Sequence, residues 1–390
     1  MHKFVRSASL LILSGFVAQV LQFVGTIFLA QIYDPNAYGN LTLVVNWASV
    51  FAVACSLQLH IALHIAQSDS KAREIMGTVL ITVPAVAVPT GIAAHLFAQD
   101  VLVLAIIMGA ALALSNIGRS AQSRRSANLS IAGLSIGRAA VAVVAQFCFR
   151  SIGQGGLVLG LLVAEVTAAF VFITLSLKGG GRPGRAPIAR VILQNRNFTI
   201  WGVMQELVSI GVVLLPFLIC SLIYDTDIVG HYGITYRLLW APAVILSFGF
   251  GLVFLTEVGR RPERFREILA ELHFRKLVLL MIVAALSSIL WMPLLFHLIL
   301  GSKWDLAASM SPAVTIAATS FLASAPYRQL YRVHEKQRLQ LCIDIGTMML
   351  IAMTWILQTL DPVAWVNVIC GIVVMQNSLM IAFARSFQRG

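Results

Sequence analysis

The chain has 390 residues, of which 59% are hydrophobic and 11% are charged, and its mean hydropathy is +0.87. A soluble globular domain carries about 25% charged residues, so this composition excludes a soluble enzyme, a disordered chain and a fibrous repeat protein. The composition predicts an integral membrane protein. The 28 Lys and Arg outnumber the 16 Asp and Glu and give a formal charge of +12, whose meaning depends on where the charges lie.

A helix needs about 20 apolar residues to cross the hydrocarbon core of a bilayer. Twelve runs of about that length follow one another along the chain, which predicts an all-α polytopic fold with about twelve transmembrane helices. The runs cover residues 8–32, 40–66, 75–97, 101–117, 127–149, 156–177, 197–223, 232–257, 277–300, 306–327, 339–359 and 363–384.

The basic residues concentrate at both termini and in every second predicted loop. These places hold 24 of the 28 Lys and Arg, including Arg119 after span four and Arg328 after span ten. The positive-inside rule makes these loops and both termini cytoplasmic. The basic surplus therefore reports membrane topology, and no nucleic acid is expected as a partner.

The middle of the chain has the composition of a linker. Residues 178–196 are rich in Gly, Pro and Arg. We therefore expect a six-helix lobe at 1–177, a cytoplasmic linker at 178–196 and a second six-helix lobe at 197–390. A later segment, 258–276, alternates charges with apolar residues at helical spacing, which predicts an amphipathic helix on the inner membrane surface.

Two short echoes relate the halves. The tripeptide Ile-Tyr-Asp at 32–34 recurs at 223–225, which is 191 positions later. An arginine followed by Ile-Gly 17 residues later occurs at Arg119 and again, 209 positions on, at Arg328. Because each half has six spans, the repeats have the same orientation, with a pseudo-two-fold axis along the membrane normal. Secondary transporters of this kind place their substrate between the halves.

Two charged residues lie near the middle of consecutive spans. Arg138 is in span five and Glu165 is in span six, and a charge at mid-span costs about 2.5–3.5 kcal/mol on insertion scales. Consecutive spans form a hairpin, so the two side chains could neutralise each other. A structural ion pair and a substrate or proton site are both open interpretations.

Span two carries a polar stripe. At 100° per residue, the side chains of Asn46, Ser49, Ser56, His60 and His64 project within one narrow sector. The two histidines lack the acidic partner and the HExxH pattern of a zinc site. A lining for a hydrated cavity is the favoured interpretation.

Three further spans contribute polar candidates. Span one carries Gln19 and Gln22 on one face, and span seven carries Gln205 and Glu206. Such side chains either line a site or hold helices together by hydrogen bonds. Arg237 lies about five residues from the outer end of span eight, where it either snorkels outward or points into a cavity.

Several chemistries are not predicted. The sequence has no GxxxxGK[ST] loop for ATP, no nucleophile elbow and no Rossmann fingerprint. Its five cysteines are isolated, without metal or disulfide spacing. We expect neither a cofactor nor a metal, and a protein that is not an enzyme.

Three segments resemble the bacterial polysaccharide-repeat flippases, the O-antigen and exopolysaccharide transporters of the multidrug/oligosaccharidyl-lipid/polysaccharide exporter superfamily. They are residues 10–63 with their YDPNAYG turn, residues 215–251 with the pattern Tyr-x-x-x-x-Arg-Leu, and residues 299–341. The likeness covers most of the chain through loose patterns. At 390 residues the chain is short for that family.

The resemblance implies a two-lobed flippase of the bacterial inner membrane that moves oligosaccharides on undecaprenyl pyrophosphate by alternating access. It further implies a polysaccharide polymerase and a chain-length regulator as partners. Arg237, then Arg138, is the candidate for the pyrophosphate. Candidates for sugar binding are Gln19, Gln22, Asn46, His60, His64 and Gln205, and Glu206, Glu165 and the histidines are candidates for ion coupling.

Two other functions compete with this one. A drug or cation antiporter of the same superfamily would share the fold but would favour acidic cavity residues. A membrane-embedded polysaccharide polymerase or ligase would typically carry a large outer loop, whereas the predicted outer loops have about ten residues or fewer.

Overall fold

The computed structural model describes residues 2–66, 68–125, 127–180, 184, 186–260, 267, 274–333 and 336–386. Within these ranges the secondary structure is helical, without a strand, so the all-α prediction is confirmed. The principal helices are α1 His2–Ile32, α2 Pro35–Ser56, α3 Leu59–Ile65, α4 Asp69–Leu96, α5 Asp100–Arg124, α6 Asn128–Cys148, α7 Gly155–Gly180, α8 Ile188–Gln194, α9 Val203–Ile223, α10 Thr226–Arg260, α11 Phe274–Leu300, α12 Asp305–Val333, α13 Gln337–Met353 and α14 Pro362–Ser386.

Eleven segments in the described part of the chain are long and apolar enough to cross a membrane. The predicted span at 232–257 falls on α10, a single helix of 35 residues. Large apolar side chains also point outward, as on α11, where Leu290 is 84% exposed and Leu298 is 79% exposed. Lipid is the solvent that such a surface requires, so the protein is a multi-pass membrane protein.

Span two is not one helix. The predicted helix over 40–66 is broken at Leu57 and Gln58, whose φ angles of 48° and 56° lie in the left-handed region. The break leaves the Cys55 carbonyl without its partner in α2, and the Thr82 hydroxyl of α4 donates a hydrogen bond of 3.2 Å to it. The prediction that His60 and His64 continue the stripe of Asn46 is therefore wrong.

Two other helices are longer than the apolar runs that predicted them. The runs at 101–117 and 306–327 end before α5 and α12 do. Arg119 and Arg328, which the sequence analysis assigned to inner loops, consequently lie on these helices and within candidate membrane spans. Polar side chains beyond both runs have partners in other helices: Gln122 and Arg125 contact Ser176, and Arg328 contacts Asn377.

The chain divides into two compact units. The first unit comprises Met1–Tyr33 and Asn40–Leu214, and the second comprises Asp34–Gly39 and Leu215–Gly390. This division cuts the chain within α9, whereas the sequence places the lobe boundary in the linker at 178–196. The lobe limits derived from the sequence stay a prediction, and the amphipathic helix expected at 258–276 falls mostly outside the described residues.

The first unit is built from closely packed helices, some of them consecutive in the chain and some not. Helix α6 packs against α1 and α7, and α5 packs against α4 and α7. The short α3 lies against α4 and α5. Leu59, Leu63 and Ile117 are fully or almost fully buried in the resulting core.

The second unit is centred on α12, which packs against α10, α11 and α14. The segment at 34–39, which includes the first turn of α2, belongs to this unit and crosses the first turn of α10. A Cβ atom on Gly39 would collide with the carbonyl oxygen of Thr226, and one on Gly230 would collide with that of Pro35. Gly230 lies 191 positions after Gly39, and Thr226 lies 191 positions after Pro35. The two contacts are therefore equivalent in the sequence repeat.

Both halves of the echo at 32–34 and 223–225 make the same contact. In the first unit the Tyr33 hydroxyl donates to the carbonyl oxygen of Gln146 at 2.7 Å. In the second unit the Tyr224 hydroxyl donates to that of Leu360 at 2.9 Å. Burial raises the pKa of both tyrosines, so both hydroxyls keep the proton that they donate.

Candidate functional site

The first unit contains a buried ion pair across two adjacent helices. The Arg138 guanidinium on α6 donates to the Glu165 carboxylate on α7. Glu165 is only 3% exposed, and its second carboxylate oxygen has no hydrogen-bond partner. The structure thus brings together the two mid-span charges that the sequence suggested as partners.

Two more polar residues surround this pair. Arg119 on α5 is close enough to Arg138 and Glu165 for their charges to act on it, and His60 on α3 is close enough to Arg119. Arg119 also lies over the Phe172 ring, 5.6 Å from its centroid. Ser115 is buried and lies one helical turn before Arg119 on α5. We call Ser115, Arg119, Arg138, Glu165 and His60 the first-unit cluster.

The first-unit cluster leaves several buried atoms unpaired. The atoms without a hydrogen-bond partner are the Nε atoms of Arg119 and Arg138, the Ser115 hydroxyl, Nδ1 of His60 and the second oxygen of Glu165. Buried polar atoms usually have hydrogen-bond partners, so unpaired ones need an explanation, such as a bound water molecule or ion. Two arginines against one glutamate also leave one positive charge over.

The second unit contains a comparable network, in which the arginine is hydrogen-bonded. Arg328 on α12 donates to the Asn377 side-chain oxygen at 2.8 Å and to the Ser324 hydroxyl at 3.1 Å. The Asn377 amide donates to Ser320 at 2.9 Å. Arg328 is close enough for its charge to act on Asp344, and Asp344 accepts a hydrogen bond of 2.7 Å from the Gln376 amide.

Asp344 lies near the inner end of the predicted span eleven, where a charged side chain can snorkel to the membrane surface. The residue is instead 3% exposed and hydrogen-bonded to Gln376 on α14. Because the Asp344 carboxylate is hydrogen-bonded to the Gln376 amide and lies near Arg328, it is compensated without contact with water.

The two networks occupy equivalent places in the sequence repeat. Ser115 and Arg119 on α5 correspond to Ser324 and Arg328 on α12, each pair 209 positions apart. Sequence reasoning missed both arginines as site residues because it counted them as loop charges. The signal that could have found them is the second echo, which begins at these arginines.

The other predicted site residues lie on α1, α2, α3, α9 and α10. For Gln19, Gln22, Asn46 and Gln205, the described contacts include no hydrogen bond to the first-unit cluster. In the first unit, Gln19, Gln22, Asn46 and Gln205 are half-buried and Glu206 is exposed. His64 lies on α3, and its side chain is outside the description. Arg237 is half-buried on α10 of the second unit. Gln146 on α6 donates to the Leu157 carbonyl at 2.9 Å and so holds α6 to α7.

A cavity of about 260 Å³ lies within the second unit, between α11, α12 and α14. Its wall is mostly apolar, with Ser320 and Asn377 of the arginine network at one side. The wall could thus hold a hydrocarbon segment beside a few polar groups.

No protein-family model matches the chain, and no curated protein sequence matches it. Solved structures do match. One is described as a Lipid II flippase MurJ in an inward closed conformation, with a TM-score of 0.79 and 11% identity over 97% of this chain and 87% of that one. The chain has the fold of a membrane transporter.

Two further structures have lower TM-scores. A MOP superfamily transporter from Pyrococcus furiosus gives 0.62 at 13% identity, over 99% of this chain and 95% of that one. The MATE multidrug transporter DinF-BH in complex with R6G gives 0.61 at 18% identity, over 98% and 94%. At these identities the likeness is one of fold, shared by proteins with different cargoes.

Proposed function

We propose that the chain is a flippase of this superfamily that moves oligosaccharide repeat units, linked to undecaprenyl pyrophosphate, across the bacterial inner membrane for surface polysaccharide synthesis. The observation that carries the proposal is the TM-score of 0.79 to a lipid flippase, against 0.62 and 0.61 for the two other structures. Both termini would face the cytoplasm. A polymerase and a chain-length regulator would act on the product.

The chemistry of the cargo fits the residues proposed to bind it. A pyrophosphate cannot enter hydrocarbon without compensation, and a guanidinium offers it paired, charge-assisted hydrogen bonds. Arg237 is the first candidate, since no ion pair is described for it. Arg138 is the second, because Glu165 already neutralises it.

The polar side chains of the first unit are the candidates for the sugars of the cargo. Amides and imidazoles are suited to sugar hydroxyls, and we assign them this role; they are Gln19, Gln22, Asn46, His60, His64 and Gln205. Glu206 is exposed on α9, and with Glu165 it is proposed to couple transport to an ion or proton gradient.

Alternating access requires contacts that one state makes and the other breaks. The crossing of α2 and α10 through Gly39 and Gly230 lies at the end that the basic residues predict to be the outer one. Trp304 packs there against Tyr38, with ring centroids 5.4 Å apart, and is itself fully buried. We propose that this crossing opens when the cargo leaves.

A Lipid II cargo is the second candidate, because the structure with a TM-score of 0.79 is described as a Lipid II flippase. Both candidate cargoes are linked to lipids, so the experiment must identify which lipid-linked glycan accumulates. A multidrug antiporter is a further alternative, favoured by the MATE structures.

The test is a strain depleted of this protein, in which lipid-linked glycans are profiled by mass spectrometry and surface polysaccharide is measured. The proposal expects complete repeat units to accumulate on undecaprenyl pyrophosphate while the surface polysaccharide disappears. Accumulation of Lipid II alone would give the cargo to the second candidate. Normal glycans with new sensitivity to cationic drugs would support the antiporter.

Complementation by variants tests the anion site. Arg237→Ala should abolish export and Arg138→Ala should reduce it, whereas Arg150→Ala should complement fully. Arg150 is a matched control because it is exposed at the end of span five and lies over the Phe147 ring, 4.8 Å from its centroid. Intact export in both Arg237→Ala and Arg138→Ala would refute the assignment.

A further inference from the structure

The first-unit cluster holds more positive charge than its own residues neutralise. Glu165 is paired with Arg138, and among the described residues it is the carboxylate whose charge acts on Arg119. One guanidinium is therefore left without a counter-charge. A net charge within a membrane span is costly unless a partner of opposite sign is present.

Few other described groups compensate the charge of Arg119. Its described contacts are the Phe172 ring and the charges of its neighbours, and its Nε is buried and unpaired. A ring face stabilises a cation by about 0.5–2 kcal/mol and accepts none of its N–H groups in line. The donors of Arg119 thus remain available.

The unpaired atoms around Arg119 are mostly donors. The Nε of Arg119, the Nε of Arg138 and the Ser115 hydroxyl can each give a proton. Nδ1 of His60 can do so in one of its tautomers. A water molecule would satisfy some of these atoms but would leave the charge uncompensated.

We infer that the first-unit cluster binds one small monovalent anion of the chloride class, held by Arg119, Arg138 and Ser115, with His60 at its edge. One negative charge balances the excess of the cluster. A compact spherical ion accepts hydrogen bonds from several directions, which suits donors that are carried by two different helices, α5 and α6. The inference concerns a ligand other than the cargo. It assigns Arg138 and His60 to the ion instead of to the pyrophosphate and the sugars, and it leaves Arg237 as the arginine proposed for the cargo.

The test is the binding of radioactive chloride to the purified full-length protein in detergent, in gluconate buffer of constant ionic strength and without any glycan. Wild type should bind one chloride per chain, and bromide should displace it. Arg119→Gln should weaken binding by about tenfold or more, as expected for losing a charged hydrogen-bond donor. Arg150→Gln, a matched arginine–phenylalanine pair in the same unit, should bind like wild type.

A variant with an effect of opposite sign separates the inference from a merely structural role. Glu165→Gln removes the negative charge that competes with the ion, so chloride should bind about tenfold more tightly. A purely structural ion pair would give no gain. Ser115→Ala removes one neutral donor and should weaken binding several-fold, and gel filtration confirms that each variant is folded.

Three results would overturn the inference. They are no saturable chloride binding in folded wild type, unchanged binding in folded Arg119→Gln, and displacement of chloride by inorganic pyrophosphate at much lower concentration than by bromide. The last would make the cluster part of the cargo site. None of these readouts depends on transport, so failure here leaves the flippase proposal to its own test.

Discussion

Arg119 and Arg328 hold equivalent places in the two halves of the sequence, yet their surroundings differ. Arg328 donates to Asn377 and Ser324, and Asp344 supplies a nearby negative charge. Arg119 lies beside a second arginine and has an unpaired Nε. The serine one turn earlier is hydrogen-bonded at 324 and unpaired at 115.

This difference teaches how a duplicated feature can separate into two roles. The second unit surrounds its arginine with acceptors, which makes it part of the packing of α12 against α14. The first unit leaves its arginine unsatisfied, which is costly for stability and useful for a ligand. Substitution of the arginine should therefore mainly reduce stability in the second unit and mainly reduce ligand binding in the first.

The largest expected effect is on the second unit. Arg328→Ala should lower the free energy of unfolding by about 3 kcal/mol, because it leaves Asn377 and Asp344 buried without their cation. Arg119→Ala should cost about 1 kcal/mol or less in chloride-free buffer. Unfolding in mixed micelles measures both, and equal losses would contradict the difference between the two networks.

A reciprocal exchange at equivalent positions sharpens the comparison. Ser135 corresponds to Asp344, 209 positions later. Asp344→Ser should cost about 2 kcal/mol, because the Gln376 amide loses its acceptor and Arg328 its counter-charge. Ser135→Asp should neutralise the first-unit cluster and abolish chloride binding, and retained binding would be inconsistent with a charge-balancing ion.

The two tyrosines should behave alike. Tyr33→Phe and Tyr224→Phe each remove one hydrogen bond to a helix carbonyl, in the first and second unit respectively. Each should lower the free energy of unfolding by about 1 kcal/mol. A large effect of one substitution and none of the other would mean that the repeated contact is not equivalent in energy.

The smallest expected effect is at the helix break. Gln58 has a φ of 56°, which costs a non-glycine residue about 1–2 kcal/mol. Gln58→Gly should therefore stabilise the protein by a few tenths to 1 kcal/mol. Ala284→Gly, at an exposed position in the interior of α11, is the control and should destabilise by about 1 kcal/mol. A loss of stability in both would show that the Gln58 side chain, and not its backbone, matters.

Hydropathy was sufficient to predict the helices because lipid demands long apolar segments with internal hydrogen bonds. It could not predict the break after Ser56, since neither Leu57 nor Gln58 is a helix breaker by type. The break is stabilised by Thr82, which is distant in sequence and whose hydroxyl donates a hydrogen bond to the freed carbonyl oxygen of Cys55.

Charge was a poorer guide to the ends of the helices. Counting Arg119 and Arg328 as loop residues supported the predicted topology, but it obscured two polar networks inside the helices. The ion pair of Arg138 and Glu165 was predictable because consecutive spans must be neighbours. The contacts of Arg328 with Asn377 were not, because they join helices that are two spans apart.

The most direct test of the central claim is transport by the purified protein in liposomes. Undecaprenyl-pyrophosphate-linked oligosaccharide would be placed in both leaflets, and the fraction open to an added glycosidase would be followed with time. Our account predicts that wild type exposes the inner-leaflet pool and that Arg237→Ala does not. Exposure limited to the outer-leaflet pool with active, folded wild type under an imposed ion gradient would contradict it.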